Sequence, residues 1–288
     1  MTGSPDSIQG GKGGVVTIAV TSGKGGVGKT SVVVNLAVAL ARLHNRVAIL
    51  DADFGLGNVD VLLGLAPAHH LGHMLSGEKE IEDIVVTGPF GVQIIPASSG
   101  LRDLAALTER QWLRLAEGLD RLCQTLDYLL IDTAAGVSDN VVQLLIGAQR
   151  VVVVTSLEPS AMVDAYAMIK IVTAADATKE IAVLVNGARD ADEGELVYRQ
   201  LDVAATRFLH RGLRYYGHVP YDPAVRESVL MQRPLVDHRP QSPAGRCFRI
   251  LAARIANMGP GSGTGLRLVP PGCKAPEGGT GMEVQPCA

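Results

Sequence analysis

Residues Gly23 to Thr30 read Gly-Lys-Gly-Gly-Val-Gly-Lys-Thr, and they constrain the chain more than any other stretch of its 288 residues. They satisfy the spacing G-x-x-x-x-G-K-[ST], with Gly23, Gly28, Lys29 and Thr30 in the fixed places. The preceding run Val15-Val16-Thr17-Ile18-Ala19-Val20 is apolar and β-branched, the composition of a parallel strand covered on both faces. Residues 30–43 then set Val33, Leu36, Ala37 and Leu40 at helical spacing. A strand that turns through glycines into a helix aims backbone N–H groups and the positive end of the helix dipole at one point. Such a loop holds phosphate, and the fold that supplies it is an α/β sheet.

The loop assigns roles residue by residue. Gly23, Lys24, Gly25, Gly26, Val27, Gly28 and Ser31 frame the anion. Lys29 reaches the β- and γ-phosphates, and the Thr30 hydroxyl ligates Mg²⁺. The chain carries its own control in Gly11 to Val15, which repeats the letters GKGGV. That copy lacks the closing Gly-Lys-Thr and leads into a strand, so no helix dipole faces it.

Two acidic motifs sit at further strand ends, where ligands of open parallel sheets bind. Tyr128-Leu129-Leu130-Ile131-Asp132 is an apolar strand closing on a carboxylate, which places Asp132 at the Mg²⁺. Capping of the following helix is the other use of such a residue. Ile49-Leu50-Asp51-Ala52-Asp53 puts two carboxylates on one face of an extended segment, a like-charge pair that calls for a cation or bound water. In that arrangement Asp53 positions the attacking water and Asp51 stands near the metal shell. The glycines Gly55 and Gly57 that follow allow a loop that responds to the γ-phosphate.

The whole chain alternates strand and helix. Strands are expected over 15–21, 46–51, 92–96, 128–132, 150–155, 181–186 and 215–219. Helices are expected over 29–43, 108–126, 140–146, 160–173, 194–209, 223–231 and 243–257. This order gives a mostly parallel twisted sheet of seven or eight strands with helices on both faces. Residues 1–14 read as a disordered lead-in, 15–258 as one P-loop domain, and 259–288 as a disordered Gly/Pro-rich tail. A net charge of −3 argues against a generally basic nucleic-acid face, and no apolar run approaches a membrane span. The four cysteines show neither a C-x-x-C pair nor disulfide-like spacing, which fits a reducing, cytoplasmic compartment.

With these residues in place, the chain resembles the MinD/ParA group of P-loop ATPases, whose loop carries the extra lysine seen at Lys24. The resemblance covers roughly 15–257. It implies ATP and Mg²⁺, hydrolysis to ADP and phosphate, and a homodimer in the ATP state in which Lys24 reaches the partner's phosphates. The resemblance makes Lys24, Lys29 and Asp53 the catalytic set, and Thr30, Asp51 and Asp132 the metal side. It further implies that Asn186, Pro220 and Asp222 meet the adenine. The phrase Phe54-Gly55-Leu56-Gly57-Asn58-Val59-Asp60-Val61-Leu62-Leu63-Gly64-Leu65 is similar to the MinD and FlhG (FleN, YlxH) branch, the FlhG members of which control flagellar number and placement. Expected partners on that branch are the flagellar GTPase FlhF, flagellar switch components or a transcription regulator.

Two departures stand out. Residues 1–14 lack the Asp-Gln-Ala stretch of FlhF-stimulating members, and the chain ends in a Gly/Pro tail rather than a lipid-binding amphipathic helix. The helix over 243–257 has Phe248, Leu251 and Ile255 beside Arg246, Arg249 and Arg254, and reads as the last helix packed on the sheet. Contact with the inner face of the membrane stays open. The alternatives are a MinD-like division-site regulator, or a ParA-like partitioning ATPase with Arg207, Arg211 and Arg214 on DNA; no specific nucleic acid is expected. A metal-cluster carrier would need paired cysteines, and Cys273 and Cys287 are too far apart. His69, His70 and His73 read as a surface segment.

Overall fold

The computed structural model describes residues 14–55, 57–97, 107–258 and 265–268. Among them, eight strands form one sheet in the order β3-β4-β2-β5-β1-β6-β7-β8. The strands are β1 (Val16–Thr21), β2 (Val47–Ala52), β3 (Val86–Thr87), β4 (Gln93–Ile95), β5 (Tyr128–Thr133), β6 (Arg150–Thr155), β7 (Glu180–Ala188) and β8 (Arg214–Pro220). All pairs are parallel except the edge pair β3–β4.

The helices are α1 (Lys29–Ala41), α2 (Val59–Leu62), α3 (Leu71–Ser76), α4 (Ile81–Ile84), α5 (Glu109–Cys123) and α6 (Asp139–Gly147). They continue with α7 (Pro159–Ala175), α8 (Ala191–Leu209), α9 (Pro223–Leu230), α10 (Leu235–His238) and α11 (Pro243–Asn257). Alternate strand residues feed two cores. Ala19, Leu129, Ile131, Val151 and Val153 face Trp112, Leu115 and Met168 on one side. Ile18, Val20, Leu130, Val152 and Val154 face Leu36, Leu40, Phe248 and Leu251 on the other. This two-sided burial explains why the central strands are continuous apolar runs rather than alternating ones.

Three expectations change. The strand β3 and the helices α2, α3, α4 and α10 lie outside the expected elements. His70 and His73 belong to the start of α3: His70 Nδ1 accepts from Gly72 N–H, and His73 Nδ1 accepts from His70 N–H. The histidines therefore cap a helix whose Leu71, Met74 and Leu75 are buried. Within the tail, residues 265–268 lie on the fold. Leu266 is buried, and Arg267 N–H donates to Gly147 O at 2.9 Å. The rest of the tail and 1–13 fall outside the described residues, as does the GKGGV copy apart from Gly14 and Val15.

Candidate functional site

β1 lies at the centre of the sheet, with β5 on one side and β6 on the other. The chain first moves outward from β1 to β2 and β4, then returns to β5 and crosses to β6. This reversal opens a crevice at the carboxyl ends of the strands. Five strands deliver residues to it: the glycine loop after β1, Asp51 in β2, Asp132 in β5, Glu158 after β6 and Asn186 in β7. A cleft of about 470 Å³ opens here between Lys24, Gly26, Glu158, Asn186 and Tyr221.

The loop is shaped by close packing. Gly28 is left-handed (φ 89°), and a Cβ there would stand 2.3 Å from Asn186 Nδ2. A Cβ at Gly23 would stand 2.2 Å from the Asp164 carbonyl oxygen. A side chain at Gly23 would have to move the α7 backbone, and one at Gly28 would displace the Asn186 carboxamide in addition to straining a left-handed position. Asn186 donates from Nδ2 to Val27 O at 2.7 Å, which ties the late strand to the loop.

Lys29 and Asp132 form the buried heart of the site. Nζ lies 2.6 Å from Oδ1, with Lys29 8% and Asp132 1% exposed. The Thr30 hydroxyl beside it also favours the charged form of the Asp132 carboxylate. Burial still pushes Asp132 above the ordinary carboxylate range, against the pull of Lys29. Its neighbour in the sheet is Asp51, aligned residue for residue across β2 and β5. Asp51 is 1% exposed, and burial, with Asp132 beside it, pushes it up to about 7. Asp132 and Asp53 thus both oppose the charge on Asp51, while Lys29 pairs with Asp132, an arrangement short of positive charge.

Asp51 is also an anchor. Oδ1 accepts from Asp53 N–H at 3.2 Å, and Oδ2 accepts from Asn58 N–H at 3.0 Å and Val59 N–H at 3.1 Å. These bonds hold the turn that carries Asp53 and start α2. Both Asp51 oxygens accept from backbone donors, which gives this residue a positioning task beside its expected place near the metal shell. Asp222 has a structural task as well. Its oxygens accept from Ala224 N–H at 2.9 Å and Ala244 N–H at 3.1 Å, so it caps α9 and pins the start of α11, whatever its backbone offers a base. Pro220 ends β8 next to it, and Tyr221 N–H donates to Ala188 O at 2.8 Å.

Lys24 stands apart from this buried group. Its ammonium pairs with the Glu158 carboxylate and donates to Ser160 Oγ at 3.0 Å, both at the start of α7. The two charged side chains are 37% and 65% exposed. Glu158 and Ser160 went unnoticed as site residues in the sequence; Glu158 follows an apolar strand as Asp132 ends one, and that shared position was the available signal.

The residues fit a Mg²⁺ that arrives with phosphate. No group of three or more acidic, histidine or cysteine side chains among the described residues forms a cage by itself. Mg²⁺ bound with a nucleotide needs only one or two protein oxygens, and Thr30 and Asp132 offer them on a charge-poor carboxylate cluster.

Comparison with known proteins agrees with this geometry. The family model described as an AAA domain matches residues 15–183, more than half of the chain. The antiactivator FleN of Pseudomonas aeruginosa is 43% identical over 241 residues, covering 84% of this chain and 86% of that protein. The flagellum site-determining protein YlxH of Helicobacter pylori is 34% identical, over 80% of this chain and 76% of that one. The septum site-determining protein MinD of Pyrococcus horikoshii, solved with Mg-ADP, superimposes with a TM-score of 0.71 at 25% identity, covering 84% of this chain and 96% of that one.

Proposed function

The chain belongs to the AAA-domain family of P-loop ATPases, in the MinD/ParA group and on the branch of FleN and YlxH, and from that membership we propose that it is an ATP-driven dimerisation switch controlling flagellar number or placement. It binds and hydrolyses ATP. The observation that carries the proposal is the contrast within one loop: Lys29 is sealed on Asp132, while Lys24 stands at the open mouth on an exposed carboxylate.

Each residue then has a task. The N–H groups of the loop and the α1 dipole hold the phosphates, and Lys29 neutralises the β- and γ-phosphate charge. Thr30 and Asp132 would hold Mg²⁺, which supplies charge neutralisation on the phosphate oxygens. Asp53 orients the attacking water on a turn fixed by Asp51. Asn186 and Pro220 border the base. Lys24 leaves Glu158 and Ser160 to reach the nucleotide of a second copy, a small cost because exposed ion pairs contribute about 0.2–1 kcal/mol. There it offsets transition-state charge as an arginine finger does.

A DNA-partitioning role has weaker support. Arg211 is occupied by Lys179 O and Thr173 Oγ1, and Arg214 by Glu180 at 3.4 Å. These two of the three candidate arginines serve the fold. No helix among the described residues is long and apolar enough to cross a membrane.

Two experiments test the proposal. Purified protein with Mg²⁺-ATP should release phosphate, and Asp53→Ala should bind ATP without turnover; full turnover in that variant removes Asp53 from the mechanism. In a flagellated host, loss of the gene should change the number of flagella per cell, with rescue by the wild type and not by Lys24→Ala. Unchanged flagellation would remove the flagellar assignment and leave the ATPase.

A further inference from the structure

α9 ends in a Schellman motif with an unusual resident. Arg233 N–H donates to Ser228 O at 3.0 Å and Gln232 N–H to Val229 O at 3.1 Å, the paired bonds of that helix ending. The residue between cap and exit adopts φ 51°, a left-handed conformation that glycine fills without strain. Here it is Gln232. Its side chain explains the choice: Nε2 donates to Val61 O, in α2, at 2.8 Å. The two turns also touch, since a Cβ at Gly64 would stand 3.4 Å from Gln232 Cβ.

The bond joins the segment that follows Asp53 to the segment that follows Tyr221 at the cleft. On one side, α2 hangs from Asp51 through Asn58 N–H and Val59 N–H, and the same carboxylate fixes the Asp53 backbone. On the other, α9 starts at Asp222, directly after Pro220 and Tyr221, and Tyr221 is tied through Ala188 to the strand that carries Asn186. Asn186 closes the path on Val27 of the phosphate loop. Coupling between two sites needs a contiguous path of this kind, with an element that both can bias.

We propose that Gln232 is a positioning residue for hydrolysis: its carboxamide links α9, and with it the base side of the cleft, to the turn that holds Asp53. The proposal rests on the reading of the cleft as an ATPase site. It separates from a structural role because the local conformation favours glycine. Gln232→Gly relieves the left-handed strain and removes only the link, so stability should hold or rise. Gln232→Glu keeps the size and removes the donor.

The test combines steady-state kinetics, thermal melting and amide hydrogen exchange with Mg²⁺-ADP. In the wild type, ADP should slow exchange of the Leu62, Leu63 and Leu65 amides at least about 5-fold. Gln232→Gly should keep its melting temperature and its KM for ATP within about 2-fold, lose that exchange response, and lose about 5-fold or more in kcat. Gln232→Glu should match it, and Gln232→Lys, which restores a donor, should recover part of kcat. The proposal is overturned if Gln232→Gly retains wild-type kcat and exchange response. It is equally overturned if kcat and melting temperature fall together, which would mark a structural role. Absence of ADP binding to the wild type, read in the same titration, overturns the ATPase reading itself and this inference with it.

Discussion

Lys24 and Lys29 lie five residues apart on one loop and each pairs with a carboxylate, yet their surroundings set them to different work. Lys29 meets Asp132 where both are nearly sealed from water. Breaking that pair strands a charge in a low-dielectric site. Lys24 meets Glu158 where both are open to solvent. Water replaces either partner at small cost, so the pair is exchangeable. A buried ion pair fixes a residue for one task, whereas an exposed pair lets a residue be handed to another molecule.

The strongest way to break the comparison is Lys29→Ala. It should abolish measurable ATP binding and turnover and destabilise the fold by about 3–5 kcal/mol, less whatever protonation of Asp132 recovers. A variant that melts like the wild type and still turns over ATP would erase the distinction. Lys24→Ala should leave stability within about 1 kcal/mol of the wild type while turnover drops on the order of 10³-fold, the scale of a charge supplied in trans. Denaturant titration and phosphate release measure the two effects.

Acidity sharpens the buried half. Asp51 in the folded chain stands near 7, above its unfolded value, so the folded state holds a proton that the unfolded state has released. That stabilisation is complete at acid pH and is lost as pH rises from about 4 through 7, a decline on the order of 2–4 kcal/mol. Asp127, Asp176, Asp222 and Glu227 are depressed and act in the opposite sense, at lower pH. Melting of the nucleotide-free protein should therefore fall between pH 5.5 and 8, and a flat profile would contradict the assigned environment of Asp51. The smallest effect belongs to the exposed half: Glu158→Gln should shift stability by less than about 1 kcal/mol, and raising the salt should erase even that.

The sequence carried the centre of this molecule and lost its edges, for physical reasons. Strands such as Tyr128–Thr133 are buried on both faces, so their composition announces them. The helices α2, α4 and α10 are four residues each, too short for a hydrophobic period to register, and depend on tertiary contacts. The phosphate loop was legible because its spacing is local. Carboxylates were harder, because spacing alone cannot tell a ligand from a cap. Asp132 faces Lys29, while Asp222 faces the N–H groups of Ala224 and Ala244, and only the fold brings the latter donors together. The bond from Gln232 to Val61 was invisible for the same reason, since the two residues lie far apart along the chain.

The claim that Lys24 is reserved for a second copy has a direct measurement: molar mass by light scattering on Asp53→Ala, which traps ATP, with Mg²⁺-ATP or Mg²⁺-ADP. The account predicts a doubled mass with ATP alone, and the monomer mass under both conditions once Lys24→Ala is added. A doubled mass that survives Lys24→Ala, or a monomer in ATP with Lys24 intact, would contradict it.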